Sequence, residues 1–155
     1  MARNPEFYKF SINTLEPAIC NELNRLYGSK IRFTHGSDYD DTKSKVDIWI
    51  KPLEQNDLHL SADSTHGLDV KTIEPVNNRG VWTNFSLPKQ TFSAPAKDFL
   101  LFAYPTENQM HCLYNCYLCK VSDVQQLKLR DMGNYYLCPL YGIKHIAVKT
   151  FNLYV

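Results

Sequence analysis

The segment 67–72 (GLDVKT) places an acid and a base two positions apart in a stretch with the pattern of a β-strand. Alternate side chains of a strand share a face, so Asp69 and Lys71 lie together while Leu68 and Val70 pack on the other side. The pattern therefore predicts a small surface that carries one carboxylate and one ammonium group.

Asp47 interrupts a second strand-like segment, 45–51, whose apolar residues point away from it. Two strands thus each offer one carboxylate. Two carboxylates can hold a hard divalent cation such as magnesium, which polarises a phosphoryl group and lowers the pKa of a bound water. Lys71 would stabilise the charge that develops on the phosphoryl oxygens, or orient the attacking water. These residue types favour hydrolysis of a phosphodiester.

A helix over 14–27 is predicted ahead of these strands, with Thr14 as N-cap, Pro17 in the first turn and Gly28 as the stop. Helical spacing puts Glu22 among the apolar positions of this helix, so its carboxylate is expected to face the cluster. The buried stripe comprises Leu15, Ile19, Leu23 and Leu26.

Strand patterns then follow one another, and a short helix around Val124 precedes a closing strand or two over 143–153. The prolines of 74–98 predict loops there, with room for one short helix or strand. This order favours a single α/β domain over 1–155, with a central mixed β-sheet flanked by helices. The predicted strands are 30–34, 45–51, 67–74, 99–104 and 110–121.

Composition narrows the class of protein further. The chain has 155 residues, the usual size of one domain, and no apolar run long enough to span a membrane. It begins without the apolar stretch of a secretory signal, so we expect a cytoplasmic protein. The net charge of +1 excludes a uniformly basic nucleic-acid binder, and any such site must be a local patch.

The five cysteines have no secreted disulfide pattern, and buried free thiols are expected. The alternative is a zinc site built from His111, Cys112, Cys116 and Cys119. Strand periodicity argues against it, because Cys112 and Cys116 would face one side and the other two residues the opposite side.

The sequence resembles the PD-(D/E)XK nuclease superfamily, which includes restriction endonucleases and Holliday-junction resolvases. The matching residues occur in the order Glu22, Asp47 within Val-Asp-Ile, and Asp69-Val70-Lys71. The resemblance covers about residues 14–121. It departs from the family pattern in Val46, where the name implies proline, and in Asp69, where glutamate is frequent.

The resemblance implies a restriction-endonuclease-like core in which Asp47 and Asp69 bind metal, Lys71 is catalytic and Glu22 assists. The expected metal ligands are Asp47, Asp69, Val70 and Glu22, the cofactor is Mg²⁺ with Mn²⁺ as a substitute, and no organic cofactor is expected. The implied substrate is DNA. A homodimer is expected, because two centres related by a two-fold axis would cut both strands.

Basic and amide residues that flank the proposed centre are expected to contact nucleic acid. Either Gln90 or Lys89 also matches a further residue of the family that follows the catalytic lysine. The predicted contacts are Lys43, Lys45, Arg79, Lys89 and Gln90, with Lys97 as a further candidate for the backbone.

Other interpretations stay open at this point. Asp69 and Lys71 could be an ordinary exposed pair, Glu22 could pair with Arg25, and His66 could be a loop histidine and not a phosphate contact. A non-catalytic nucleic-acid- or protein-binding module, such as a phage or defence regulator, is the principal alternative to an enzyme. If Asp47, Asp69 and Lys71 do not converge within a few ångströms, or if an arginine fills the metal position, catalysis is excluded and the binding module is the better interpretation.

Overall fold

The computed structural model describes residues 4–36, 46–74, 83–93 and 97–155. Three of the predicted nucleic-acid contacts, Lys43, Lys45 and Arg79, lie outside these ranges. Within them, no helix has both the length and the apolar character to cross a membrane.

The chain opens with a continuous helical segment made of α1 (Pro5–Phe10), a π-helical turn (Ser11–Leu15) and α2 (Glu16–Tyr27). Its end agrees with the prediction, since Gly28 adopts φ 57° as the C-cap. Its start does not: the helix begins at Pro5 with Asn4 as N-cap, and Thr14 lies within the π-helical turn. This turn precedes Pro17, which has no N–H to donate to the preceding turn, so the irregularity accommodates a proline inside one long helix.

The remaining elements form two sheets and two short helices. They are β1 (Ile31–His35), β2 (Ile48–Pro52), β3 (His66–Thr72), β4 (Asn84–Pro88), β5 (Lys97–Pro105), β6 (Leu113–Lys120), α3 (Val121–Gln125), β7 (Arg130–Asp131), β8 (Tyr135–Pro139), α4 (Leu140–Ile146) and β9 (Lys149–Tyr154).

The larger sheet is mixed, with the order β1-β2-β3-β5-β6-β9. Strands β3 and β5 are parallel, and the other neighbours are antiparallel. The predicted α/β class with a central mixed sheet is confirmed.

Two parts of the chain differ from the prediction. The segment 143–153 is not all strand, because α4 extends to Ile146 and only β9 is extended. Ile143 and Ile146, three positions apart, both pack in the same apolar cluster, which is helical and not strand spacing. A second sheet of order β4-β8-β7 was not predicted; β4 and the 3₁₀ turn Lys89–Phe92 are the regular structure between β3 and β5 in the described residues.

The large sheet is covered on both faces, which explains the apolar run of β5. Phe99 and Leu101 pack with the opening helices, whereas Leu100 and Phe102 pack with the second sheet, α3 and α4. A strand that is buried on both faces reads as a continuous apolar stretch.

The cysteines divide between these two clusters. Cys112 and Cys116 lie in the cluster under the opening helices and Cys119 lies in the other, so the predicted opposite orientation of these cysteines is confirmed. The prediction is wrong for His111, whose ring lies 5.0 Å from that of Phe10 and therefore on the side of the opening helices. All five cysteines are free thiols and buried. Burial raises the pKa of the Cys116 and Cys119 thiols to about 12.

Candidate functional site

The candidate site lies where β2 and β3 separate. The two strands pair only from Ile48 opposite Leu68 to Ile50 opposite His66, and β3 then continues along β5 alone. Asp47 stands at this fork, just before β2 begins, where its N–H donates to the carbonyl of Leu68 at 2.9 Å.

The Asp47 side chain lies beside Val70, where the backbone of β2 would lie if its pairing with β3 continued. Its Oδ2 accepts a hydrogen bond from the N–H of Val70 at 2.7 Å. Because the N–H and C=O of one residue in an extended strand project to the same side, the Val70 carbonyl lies on this edge as well. The fork therefore presents a carboxylate and a backbone carbonyl together.

Asp69 carries two ammonium contacts at the same oxygen. The Nζ atoms of Lys71 and Lys97 each lie 2.9 Å from its Oδ2. Burial alone would raise the pKa of Asp69, but the charge of Lys71, a hydrogen bond with Asp47 and the contact with Lys97 together hold that pKa below its ordinary value. Asp69 is therefore an ionised, nearly buried carboxylate.

The predicted catalytic residues Asp47, Asp69 and Lys71 are thus brought together, and all three line one cavity of about 150 Å³. Leu68 and Val70 pack with the opposite apolar cluster, as strand alternation predicts. The lack of convergence that would have excluded catalysis is therefore not observed for these side chains.

Glu22 is not among the residues that line this cavity. Its carboxylate forms an ion pair with Arg25 three positions along the helix. The structure thus agrees with the alternative interpretation, in which Glu22 pairs with Arg25. The expectation that the Glu22 carboxylate faces Asp47 and Asp69 is not met.

Glu16, at the start of α2, lines the cavity instead. It is 7% exposed, its Oε1 lies 3.0 Å from Nε2 of His35, and its Oε2 accepts from the Ser11 hydroxyl at 3.5 Å. Sequence carried a signal for it: Glu16 stands three and four positions before Ile19 and Cys20, both buried, so it belongs to the same helical stripe.

The residues predicted to contact nucleic acid divide in the structure. Gln90 lines the cavity. Lys89 does not, since it pairs with Asp131 at 3.0 Å and lies over the ring of Tyr136. Lys97 was expected as a flanking backbone contact, but its side chain is only 2% exposed and lies inside the site.

His66 opens β3 and lies outside the cavity. Its Nδ1 is 2.7 Å from Oδ2 of Asp98 and its Nε2 is 2.8 Å from Oγ of Ser64. The Ser64 hydroxyl donates to the carbonyl of Ser61 at 2.5 Å. In this arrangement the Ser64 proton is directed to the Ser61 carbonyl, whereas an activated serine nucleophile directs its proton to the imidazole.

The oxygen atoms at the fork suit a hard divalent cation. Asp47 lies within hydrogen-bond reach of Asp69, so the two carboxyl groups stand side by side at the fork. No group of three His, Cys, Asp or Glu side chains is arranged to hold a metal in the described ranges. Two carboxylates, the Val70 carbonyl and oxygens from substrate or water match the usual protein site for Mg²⁺.

Comparisons with protein-family models, with curated proteins and with solved structures found no match for this chain.

Proposed function

We propose that this chain is a metal-dependent endonuclease that hydrolyses DNA phosphodiester bonds, of the restriction or junction-resolving type. The observation that carries the proposal is the convergence at the strand fork: Asp47 bonded to Val70 at 2.7 Å, and Lys71 bonded to Asp69 at 2.9 Å. An ordinary exposed acid–base pair would not be buried beside a second strand's carboxylate.

In this proposal Asp47, Asp69 and the Val70 carbonyl hold Mg²⁺, for which Mn²⁺ can substitute. When bound, the metal supplies Lewis-acid polarisation of the phosphoryl group and a more acidic water. Lys71 donates to a phosphoryl oxygen as negative charge develops there, and its contact with Asp69 fixes its ammonium in position. Glu16, not Glu22, supports the centre from the opening helix.

The order of the elements supports a restriction-endonuclease-like core. The opening helix covers one face of the sheet, Asp47 directly precedes β2 while Asp69 lies in the adjacent strand β3, and β5 follows β3 in parallel. A homodimer belongs to the same proposal, because one centre cuts one strand and two centres related by a two-fold axis cut both. Sedimentation velocity of the protein alone tests the dimer.

The test of the nuclease is a cleavage assay on supercoiled plasmid and branched DNA with magnesium or manganese. Asp69→Asn and Lys71→Met remove one charge each with little change in volume, and each should lower the cleavage rate by about 100-fold or more. Asp98→Asn is the control, since this half-exposed carboxylate lies in the neighbouring strand β5 but outside the cavity, and should cut like the wild type.

Circular dichroism of each variant separates lost chemistry from lost folding. Metal-dependent cutting that survives in Lys71→Met would contradict the assigned role of this lysine. Absence of cutting in the wild type on every substrate would remove the enzyme proposal.

A non-catalytic binding module on the same fold is the second candidate. It is favoured by the contact of Lys97 with Asp69, which neutralises a buried carboxylate without any metal. Calorimetric titration with Mn²⁺ distinguishes the two: the nuclease binds the ion and loses binding in Asp47→Asn, whereas the binding module retains DNA affinity and takes up no metal at this site.

A further inference from the structure

The cavity has a wall that the proposed metal site does not use, formed by the 3₁₀ turn after β4. Thr91 in this turn is 1% exposed and lines the cavity. Among the described residues its Oγ1 finds no hydrogen-bond partner. Thr72, which also lines the cavity, differs because its hydroxyl donates to the carbonyl of Ala103 at 2.9 Å.

A buried hydroxyl without a partner costs free energy, and native structures rarely leave one. The cost is repaid when a ligand supplies the missing acceptor. Thr91 therefore marks a position at which an oxygen atom from outside the protein is expected.

Lys97 reaches the same cavity with spare donors. An ammonium group has three N–H donors, and the contact with Oδ2 of Asp69 uses one. The described part of the chain gives Lys97 no second acceptor, although its side chain is 2% exposed. A buried cation with unused donors favours an anionic oxygen beside it.

The size of the cavity limits what can enter. Its volume is about 150 Å³, and a water molecule in the liquid occupies about 30 Å³. A phosphate group fits this space.

We propose that Thr91 and Lys97 form a subsite for the non-bridging oxygens of the substrate phosphate. Thr91 donates its hydroxyl to one oxygen, and Lys97 donates to the anion while it keeps its contact with Asp69. The inference rests on the proposed function for the identity of that phosphate as a phosphodiester, but the subsite itself requires only a phosphate group.

Thr91→Val tests the subsite because valine keeps the shape of threonine and removes the hydroxyl. The probe is inorganic phosphate in magnesium chloride buffer, with sodium chloride of equal ionic strength as the reference. Binding to the folded state raises the Tm. We expect phosphate to raise the Tm of the wild type, and Thr91→Val to weaken phosphate affinity about tenfold, the loss of one charge-assisted hydrogen bond.

The stability of the variant in chloride separates a ligand role from a structural one. A hydroxyl without an internal partner contributes nothing to folding, so Thr91→Val should keep or exceed the wild-type Tm. Thr150→Val, an exposed threonine of β9, is the matched control and should bind phosphate like the wild type. Lys97→Met should also weaken phosphate binding.

A lower Tm of Thr91→Val in chloride would assign the hydroxyl to folding and overturn the subsite. Equal phosphate affinity of Thr91→Val and wild type, or no phosphate effect on the wild type, would overturn it too. The nuclease proposal is judged separately. If the wild type binds phosphate but cleaves no DNA, the subsite stands and the nuclease proposal fails. If the wild type cleaves DNA but Thr91→Val binds phosphate as tightly as the wild type, the nuclease proposal stands and the subsite fails.

Discussion

At the level of single residues, the site depends on one carboxylate that serves two cations. Asp69 is 8% exposed, and an unpaired charge at such a position would be strongly unfavourable. Lys71 and Lys97 compensate it from β3 and from the start of β5, so the residue that would bind metal also joins the two parallel strands. The proposed metal ligand is therefore also a residue on which the stability of the fold depends.

Asp69→Asn should therefore lower the free energy of unfolding at pH 7 by about 3 kcal/mol, because two ammonium groups lose their buried counter-ion. The double variant Asp69→Asn/Lys97→Met should be more stable than the sum of the two single losses predicts. Urea unfolding measures both. Additive losses would show that Asp69 and Lys97 do not interact.

The same carboxylate predicts how stability depends on pH. The pKa of Asp69 in the folded state is below the ordinary value near 3.8, so its contribution is present above that value. It is lost as pH falls through the lower folded pKa, when the carboxylate is protonated. Urea unfolding from pH 7 to pH 2 should show a steeper loss below about pH 4 in the wild type than in Asp69→Asn.

Glu16 and Glu22 offer a matched comparison, since both are glutamates of α2 but only Glu16 lines the cavity. Glu16→Gln should lower metal-dependent cleavage by about tenfold or more, because it alters a charge beside the centre. Glu22→Gln should change the rate by less than about twofold, since exposed ion pairs on a helix contribute little. The plasmid cleavage rates of the two variants test this prediction. A larger loss in Glu22→Gln than in Glu16→Gln would show that Glu22, and not Glu16, supports the centre.

Asp47, Asp69 and Lys71 were predictable because strand alternation is a local property of the sequence. Glu16 was open to the same helical argument as Glu22, because the predicted helix over 14–27 contains both glutamates, but only Glu22 was singled out. Thr91 and Lys97 lie within the segment 74–98, which contains three prolines, and only the tertiary fold brings them to the fork. No spacing rule identifies such residues.

At the level of elements, the separation of β2 from β3 creates the site. Once β2 leaves, the N–H of Val70 has no strand partner and bonds to Asp47. The positions of the strands were predictable from alternation. The point at which β2 and β3 stop pairing was not, because it depends on how the opening helix and the second sheet pack against the large sheet. The second sheet escaped prediction because β8 and β7 are short and half exposed.

Gly28 ends the helical segment that carries Glu16, and its backbone conformation of φ 57° and ψ −127° is strained for residues with a side chain. A Cβ added there would meet no atom within 4 Å, so any effect of Gly28→Ala comes from the backbone. We expect a loss of about 2 kcal/mol in the free energy of unfolding. Ser29→Ala, the exposed neighbour, is the control; equal stability of Gly28→Ala and wild type would contradict this account of the helix end.

At the level of the whole molecule, the large sheet separates two apolar clusters, and β5 contributes to both. The site lies at one end of this shared strand, where Lys97 begins β5. Because β5 packs in both clusters, unfolding of either cluster would displace Lys97 and so remove its contact with Asp69. We expect the site and the core to unfold together.

The five cysteines report on this coupling, because they are buried in both clusters. Burial raises the pKa of Cys116, Cys119 and Cys138 to about 12, so these three side chains carry almost no thiolate at pH 8 in the folded protein. Iodoacetamide should leave the native protein unmodified for hours and modify all five thiols in urea, as mass spectrometry counts. If the clusters open together, partly modified molecules with one to four labels stay rare throughout a urea titration. Rapid labelling of Cys119 and Cys138 alone would show instead that the cluster under the second sheet opens by itself, and that the site can lose Lys97 while the opening helices stay folded.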